Sequence, residues 1–348
     1  MTRRLPAEWS PQDGVLLTWP HPHSDWAPRL AEVEAIYLAL ARAIAAHETL
    51  VVCCYDEAHR AHVADHLLEA DVDLRRVRLH CVASDDTWVR DYGPLCVLED
   101  GRPRLLDFIF NGWGGKYPSE LDTLVTAGLH AAGAFGETPR EAQPLVLEGG
   151  AIDTDGEGSL LTTERCLLDP HRNPDLDRAG LERELRSRLG VERILWLRHG
   201  WLEGDDTDGH VDMLARFCAL DCIAHAICED PDDPHYEPLQ AMAGELAALR
   251  RSDGSGYRLV PLPLPAPVHD SDGRRLPASY ANFLIINDAV LVPAYGDAND
   301  AVAVERLAEV FPGREIHAID SRPLIVQAGG LHCASMQLPQ GVLGEEAA

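Results

Sequence analysis

Positive charge is scarce in this chain. Its 348 residues carry 30 Lys and Arg against 57 Asp and Glu, a formal net charge of −27. With no basic stripe to offset phosphate repulsion, the balance argues against nucleic acid as a partner and disfavours an anionic membrane. Long hydrophobic runs are missing too, and none approaches the length of a membrane span. The opening "MTRRLPAEWSPQDG" has two arginines but no apolar stretch behind them, so no secretory signal is expected and a cytoplasmic location is. The nine cysteines include no C-x-x-C pair, which argues against a zinc or dithiol site and predicts reduced thiols. P-loop, G-x-G-x-x-G and G-x-S-x-G signatures are absent, so those motifs lend nothing to an NTPase, Rossmann or serine-hydrolase reading.

What is present suffices for a full core, since 46% of the residues are apolar. "PRLAEVEAIYLALARAIAAH" sets Leu30, Val33, Tyr37, Leu40 and Ile44 on one helical face. A buried strand, "TLVVCCY", follows, then a helix in "DEAHRAHVADHLLEA" and a strand in "RVRLHCV". Further strands are read in "LLDFIF", "PLVL", "SLLTTE", "RILWL", "HVDMLARF", "CIAHAI", "SYANFLIIN" and "AVLVPAY". Helices are read in "DLDRAGLERELRSRL", "HYEPLQAMAGELAALRR" and "NDAVAVERLAEVF", the last capped by Asn299 or Asp300. Alternating elements with paired strands predict an α/β chain with mixed sheets. Residues 259–277 are Pro-rich and are read as an internal loop, leaving one domain over 1–348.

Polar, glycine-flanked strand ends recur at Asp91, Glu148, His210, Asn282 and Cys333, separated by 57, 62, 72 and 51 residues. No sequence repeat is visible at that period, yet a spacing of about 60 residues suggests one structural unit, each lending a residue to a common centre. Cys53, Cys54, Cys81, Cys96, Cys166, Cys218, Cys222 and Cys228 read as small buried hydrophobes. Cys333, in "QAGGLHCASMQ", differs: Gly329 and Gly330 let backbone approach a ligand, as an exposed nucleophile needs, although a structural turn explains them equally well. In "GDDTDGHVD", strand alternation would point His210 and Asp212 the same way, either as an acid–base pair or as a polar sheet face. A calcium loop is disfavoured there because Gly204 and Ala215 occupy positions that need carboxylates. Trp88 in "DDTWVRDYGP" and Trp113 in "FNGWGGKYP" either wall a pocket or anchor their loops.

A nucleophilic cysteine among unpaired carboxylates needs a cation to hold its thiolate. A guanidinium fits: it is planar, always charged and bound bidentately by carboxylates. Oriented in that way, its central carbon could be attacked by the thiolate.

Together, "MTRRLPAEWSPQDGVLLTWPH", "DTWVRDYGP", "FNGWGGKYP", "LEGGAIDTDGEGSLLTTERCLLDPHRNP", "GDDTDGHVDMLARF", "PASYANFLIIN", "GDANDAVA" and "GGLHCASMQLP" resemble the agmatine deiminase and bacterial-type peptidyl-arginine deiminase family over nearly the whole chain. The resemblance implies the pentein fold, a five-bladed pseudo-symmetric α/β propeller with a central site. It also implies hydrolytic deimination with neither metal nor organic cofactor. By motif, Cys333 resembles the nucleophile and His210 the acid–base. Asp91 and Asp212 resemble the pair gripping the guanidinium, and Glu148 the carboxylate that orients His210 and touches substrate. Trp88, Trp113, Asn282 and Gly330 are expected at the pocket, with Asp206 meeting the substrate's tail. Asp153, Asp155, Asp205 and Asp208 are expected to cap turns or face solvent. The implied partner is a small cationic guanidine, with a homo-oligomer left open. The acid-rich "LEGDDTDG" favours agmatine; departures from the family's wording in "GGLHCAS" and "FNGWGGKYP" keep peptidyl-arginine or another guanidine as alternatives. An amidinotransferase and an inactive acidic binding protein are the remaining readings.

Overall fold

The computed structural model describes residues 2–344. Its strands form five small sheets, and one construction recurs in all of them. A first strand pairs antiparallel with a second, a helix crosses over, and a third strand pairs parallel with the second. The first unit runs Leu95–Glu99, Arg102–Ile109, helix Asp122–Ala131 and Arg140–Val146, with Arg3–Arg4 added beside its first strand. The second runs Ile152–Thr154, Ser159–Thr163, helix Arg178–Leu189 and Arg193–Leu197. The third runs Ala215–Ala219, Cys222–Ile227, helix Tyr236–Ala248 and Arg258–Pro263. The fourth runs Leu284–Ile286, Ala289–Ala294, helix Asn299–Val310 and Glu315–Asp320. The fifth joins strands from opposite halves of the chain. Ser335–Pro339 pairs antiparallel with Gln12–Thr18, helix α1 (Leu30–His47) crosses to Thr49–Cys54, and helix α2 (Glu57–Glu69) leads on to Val77–Cys81. Five like units, closed by pairing a late strand with an early one, are the pseudo-symmetric α/β propeller that the resemblance implied.

Local chemistry explains the elements. Strand "TLVVCC" is almost wholly buried, as a parallel strand covered on both faces must be. Helix α1 turns Val33, Ile36, Tyr37, Leu40, Ala41 and Ile44 to the core, the face read from its period. Helix α2 opens at Asp56, whose carboxylate accepts the amide of His59. Arg178–Leu189 opens in the same way at Asp177, which accepts from Gly180.

Four readings need correction. "HVDMLARF" is not one strand: Val211–Met213 is a single 3-10 turn and the strand starts at Ala215. "SYANFLIIN" is extended only over Leu284–Ile286. The Pro-rich stretch is not all loop, because Arg258–Pro263 is the edge strand of its sheet. Proline is tolerated there because an edge strand leaves alternate amides unpaired. Neither Asn299 nor Asp300 caps its helix; both lie inside it, and the Asp300 carboxylate instead accepts from Tyr280 Oη and the amides of Tyr295 and Gly296.

Candidate active site

The regular spacing has a structural meaning. Each of the five polar residues stands just ahead of the first strand of a unit: Asp91 before Leu95, Glu148 before Ile152, His210 before Ala215, Asn282 before Leu284 and Cys333 before Ser335. Hydrogen bonds at these entrances and in the strands that follow them link the units around a ring. Arg90 N donates to Cys333 O at 3.1 Å. Gly150 N donates to Asp91 Oδ1 at 2.9 Å, Phe217 N to Asp153 Oδ2 at 2.6 Å, and Asn282 Nδ2 to Asp212 O at 3.4 Å. His332 N closes the ring with a 3.0 Å bond to Asn282 Oδ1.

Cys333 Sγ lies 3.1 Å from Asn282 Nδ2 and 3.6 Å from Asp212 Oδ2. Asp91 accepts from Trp113 Nε1 at 2.9 Å, and its other oxygen is 3.5 Å from His210 Nδ1. Gly150 marks where these groups converge. A Cβ there would sit 2.6 Å from His210 Nδ1, 2.8 Å from Asp91 Oδ1 and 3.1 Å from Asp212 Oδ2. Thiol, imidazole and two carboxylates therefore share one small volume. A cavity of about 200 Å³ opens onto it, lined by Trp88, Trp113, Tyr117, Asp91 and Cys333, with Asp25, Asp86, Asp206 and Arg274 also on its walls.

Not every expected residue reaches the cavity. Glu148, His210 and Asp212 are fully buried and do not line it. Asn282 is also fully buried; rather than lining the pocket, it holds the Cys333 loop through its side-chain amide. Gly330 is needed for that contact, since a Cβ there would fall 2.4 Å from Asn282 Oδ1, and it is Gly329 that lines the cavity. Glu148 does not hydrogen-bond His210: both its oxygens accept from Arg172 Nε, at 2.8 and 3.0 Å. Asp206 lines the cavity as expected, and accepts from Tyr117 Oη at 2.7 Å.

Several working residues escape a reading from sequence. Arg172 is buried, and besides Glu148 it binds Asp208 Oδ2 at 2.9 Å. Asp208 also takes Lys116, the chain's one lysine, at 2.7 Å. His332 has Asp212 Oδ2 at 2.7 Å from one ring nitrogen and Glu8 Oε2 at 2.8 Å from the other. Glu8 in turn holds Arg216 at 2.7 Å, and Arg216 holds Asp153 at 3.2 Å. So Asp153 and Asp208 secure buried arginines, whereas Asp155 and Asp205 do bind turn amides as expected. The available signal is the rarity of buried arginine: one that the core retains must have carboxylates around it.

The electrostatics follow from this pairing. Glu8, Glu148 and Asp153 each have an arginine partner. Among the described residues, Asp91 and Asp212 have none at ion-pair distance and face only histidines. Burial, then the charges of Asp212 and Glu148, push the Asp91 carboxyl well above its ordinary range. Burial would raise Asp212 too, but the hydrogen bond from His332 and the charge beside it bring it below the ordinary value. Burial pushes the Cys333 thiol up, reinforced by Asp212 and Asp91. Burial depresses His210 to about 3. Both ring nitrogens of His210 and Asp212 Oδ1 are buried without a hydrogen-bond partner. Three buried polar atoms at the centre are thus unsatisfied, and a donor to Asp212 Oδ1 is one of the partners they call for.

Comparison with known proteins gives the same answer over the whole chain. Residues 4–339 match the family model described as Porphyromonas-type peptidyl-arginine deiminase. The agmatine deiminase of Stutzerimonas stutzeri is 36% identical across 96% of this chain and 95% of its own. The structure of C. jejuni agmatine deiminase with substrate bound superposes with a TM-score of 0.89 at 37% identity, covering 98% of this chain and 97% of that one. A Porphyromonas gingivalis structure, provisionally named an arginine deiminase, reaches 0.92 at 50% identity over 97% and 99%. In fold the molecule is a pentein, and the chain belongs to the Porphyromonas-type peptidyl-arginine deiminase family.

Proposed function

We propose that this protein hydrolyses a guanidinium substrate, agmatine, to N-carbamoylputrescine and ammonia, through a covalent adduct on Cys333. The observation that carries this reading is the pair of buried carboxylates, Asp91 and Asp212, which among the described residues have no arginine or lysine partner and which lie beside the thiol and the unpartnered nitrogens of His210. A guanidinium supplies a positive charge and donates to both carboxylates in its own plane. Its arrival offsets the negative field that keeps Cys333 protonated, so the thiol loses its proton to His210, which burial holds neutral beforehand. Sulfur then attacks the central carbon and one carbon–nitrogen bond breaks. His210 returns the proton to the departing ammonia. A water adds to the same carbon, giving a proton to His210; the carbon–sulfur bond breaks and the ureido product leaves. Trp88 and Trp113 cover the planar group. Glu148, paired with the buried Arg172, stands beside the imidazole and fixes the wall behind it.

Three cavity carboxylates, Asp25, Asp86 and Asp206, suit a substrate that ends in an amine. One observation favours a second reading. Arg274 also lines the cavity, and although it is tied to Asp270 at 3.1 Å it could receive the carboxylate of arginine or of a peptide. Assaying agmatine, free arginine and a peptidyl-arginine side by side, with ureido product as the readout, separates the two. Agmatine should exceed the others by at least about a hundredfold in kcat/KM, the discrimination of roughly 3 kcal/mol that one well-placed charge contact provides. Preference for arginine, lost in Arg274→Gln, would establish the second reading. Cys333→Ala should abolish ammonia release, and Asp212→Asn should do so with the fold intact. Turnover by Cys333→Ala would remove the nucleophile from the mechanism.

A further inference from the structure

Away from the cavity, α1 and α2 enclose a second group of chemically active side chains. Glu34 of α1 is buried, an unusual place for a carboxylate. Its Oε1 accepts from Trp19 Nε1 at 3.1 Å and lies 2.7 Å from His62 Nε2 and 3.9 Å from His66 Nδ1. His62 and His66 are one turn apart on α2, with ring centroids 4.0 Å apart. One ligand atom from each of the three residues lies within 4.8 Å of the others. The two imidazoles are 42% and 33% exposed, so an ion could reach them and keep a water ligand.

We propose that Glu34, His62 and His66 form a binding site for a borderline divalent cation of the Zn²⁺ class, which clamps α1 to α2. Two imidazole nitrogens and one carboxylate oxygen suit Zn²⁺, Co²⁺ or Ni²⁺ rather than the oxygen-seeking Ca²⁺ or Mg²⁺. A tetrahedral ion with bonds of roughly 2.0–2.1 Å needs its ligand atoms about 3.4 Å apart. The distances from Glu34 to the two histidines, 2.7 and 3.9 Å, straddle that value, so shifts of side chains alone would seat the ion. The ion would compensate a buried carboxylate that Trp19 and His62 hold by hydrogen bonds. Trp19 Nε1 also fixes the carboxylate's direction, the role of an outer-sphere hydrogen bond in metal sites.

Two rival clusters exist among the described residues. His47, Glu315 and His317 lack a buried carboxylate, since Glu315 is 69% exposed. Glu148, Cys166 and His210 belong to the centre already described, where Arg172 already neutralises Glu148. The test uses the full chain after chelator treatment, titrated with Co²⁺ and followed by visible absorption, then displaced with Zn²⁺. One Co²⁺ should bind per chain, with a tetrahedral spectrum and no thiolate charge-transfer band. The double variant His62→Ala/His66→Ala should lose that binding at least tenfold while keeping wild-type agmatine turnover. Saturating Zn²⁺ should raise the melting temperature of the wild type by about 2 °C or more and leave the double variant unmoved. Co²⁺ binding that survives in the double variant, a thiolate band, or no binding at micromolar metal would each overturn the assignment.

Discussion

At the residue scale, the site depends as much on an absent side chain as on the groups that react. Gly150 has no functional atoms, so nothing in a motif marks it as chemical. Yet a methyl group at its position would touch His210, Asp91 and Asp212 together. Gly150→Ala should lower kcat/KM by about a hundredfold or more, the effect of an ångström-scale displacement of reacting groups, with the melting temperature little changed. Full activity in that variant would show that the three groups do not converge there during turnover. Glu48 gives a prediction about pH. Its carboxyl is buried, and burial lifts it from 4.5 to about 7, against the pull of the Asn287 amide. A raised carboxyl pKa means that the folded state holds a proton the unfolded chain releases. Its contribution is therefore complete below pH 4.5 and is lost as pH rises to about 7. Glu48→Gln keeps an acceptor for Asn287 and sheds that loss. Its stability relative to wild type should climb across this window, by at most roughly 3 kcal/mol, as denaturant melts at pH 5 and pH 8 would measure. A flat difference would mean that Glu48 titrates normally.

At the scale of elements, loops do most of the positioning, and loops are where sequence patterns say least. The periodic face of α1 and the apolar strand after it are legible because burial imposes one residue type at regular intervals. Strand alternation puts His210 and Asp212 in the right neighbourhood for the wrong reason. "HVDMLARF" alternates like a strand, but Gly209 enters at φ +87° and the chain makes a 3-10 turn before extending. Both side chains still point to the centre, through turn geometry and not through strand alternation. Arg172 and Glu8 are illegible as partners because each is paired to residues far along the chain, and distance in sequence carries no signal of contact. The Gly112–Gly115 turn shows how much one loop can specify. Trp113 itself has φ +55°, an uncommon conformation for a large side chain, held by edge-on contacts with Phe110 and Tyr117. Gly112 permits it: a Cβ there would lie 2.1 Å from Tyr117 O. Gly112→Ala should swing Trp113 off Asp91 and reduce kcat/KM at least about tenfold, visible also as a change in tryptophan fluorescence on adding substrate. Unchanged kinetics would reduce Trp113 to a loop anchor.

At the scale of the whole molecule, the roughly regular spacing of five polar residues is legible in the amino-acid sequence, although no repeat of sequence accompanies it. Packing explains the difference. The five units share a path of the backbone, and many apolar combinations fill the same path, so only the position just ahead of each first strand keeps a recognisable character. The charge balance also acts at this scale. With a formal net charge of −27 and acidic groups around the cavity, the field should draw a cationic guanidine inward. Raising NaCl from about 0.05 to about 0.5 M should lower kcat/KM for agmatine several-fold while kcat holds. Salt-independent kcat/KM would leave the acidity to solubility alone. Among the described residues, no helix is long and apolar enough to cross a membrane.

The fifth unit joins Ser335–Pro339 to Gln12–Thr18, and Cys333 stands at that junction. A ribosome therefore delivers the sulfur proposed as the nucleophile only after the other four units have been made, on the very segment that shuts the circle. Until that moment the acidic hub has neither its thiol nor its closing strand. If Cys333 carries the chemistry, a nascent chain halted within the fourth unit should release no ammonia.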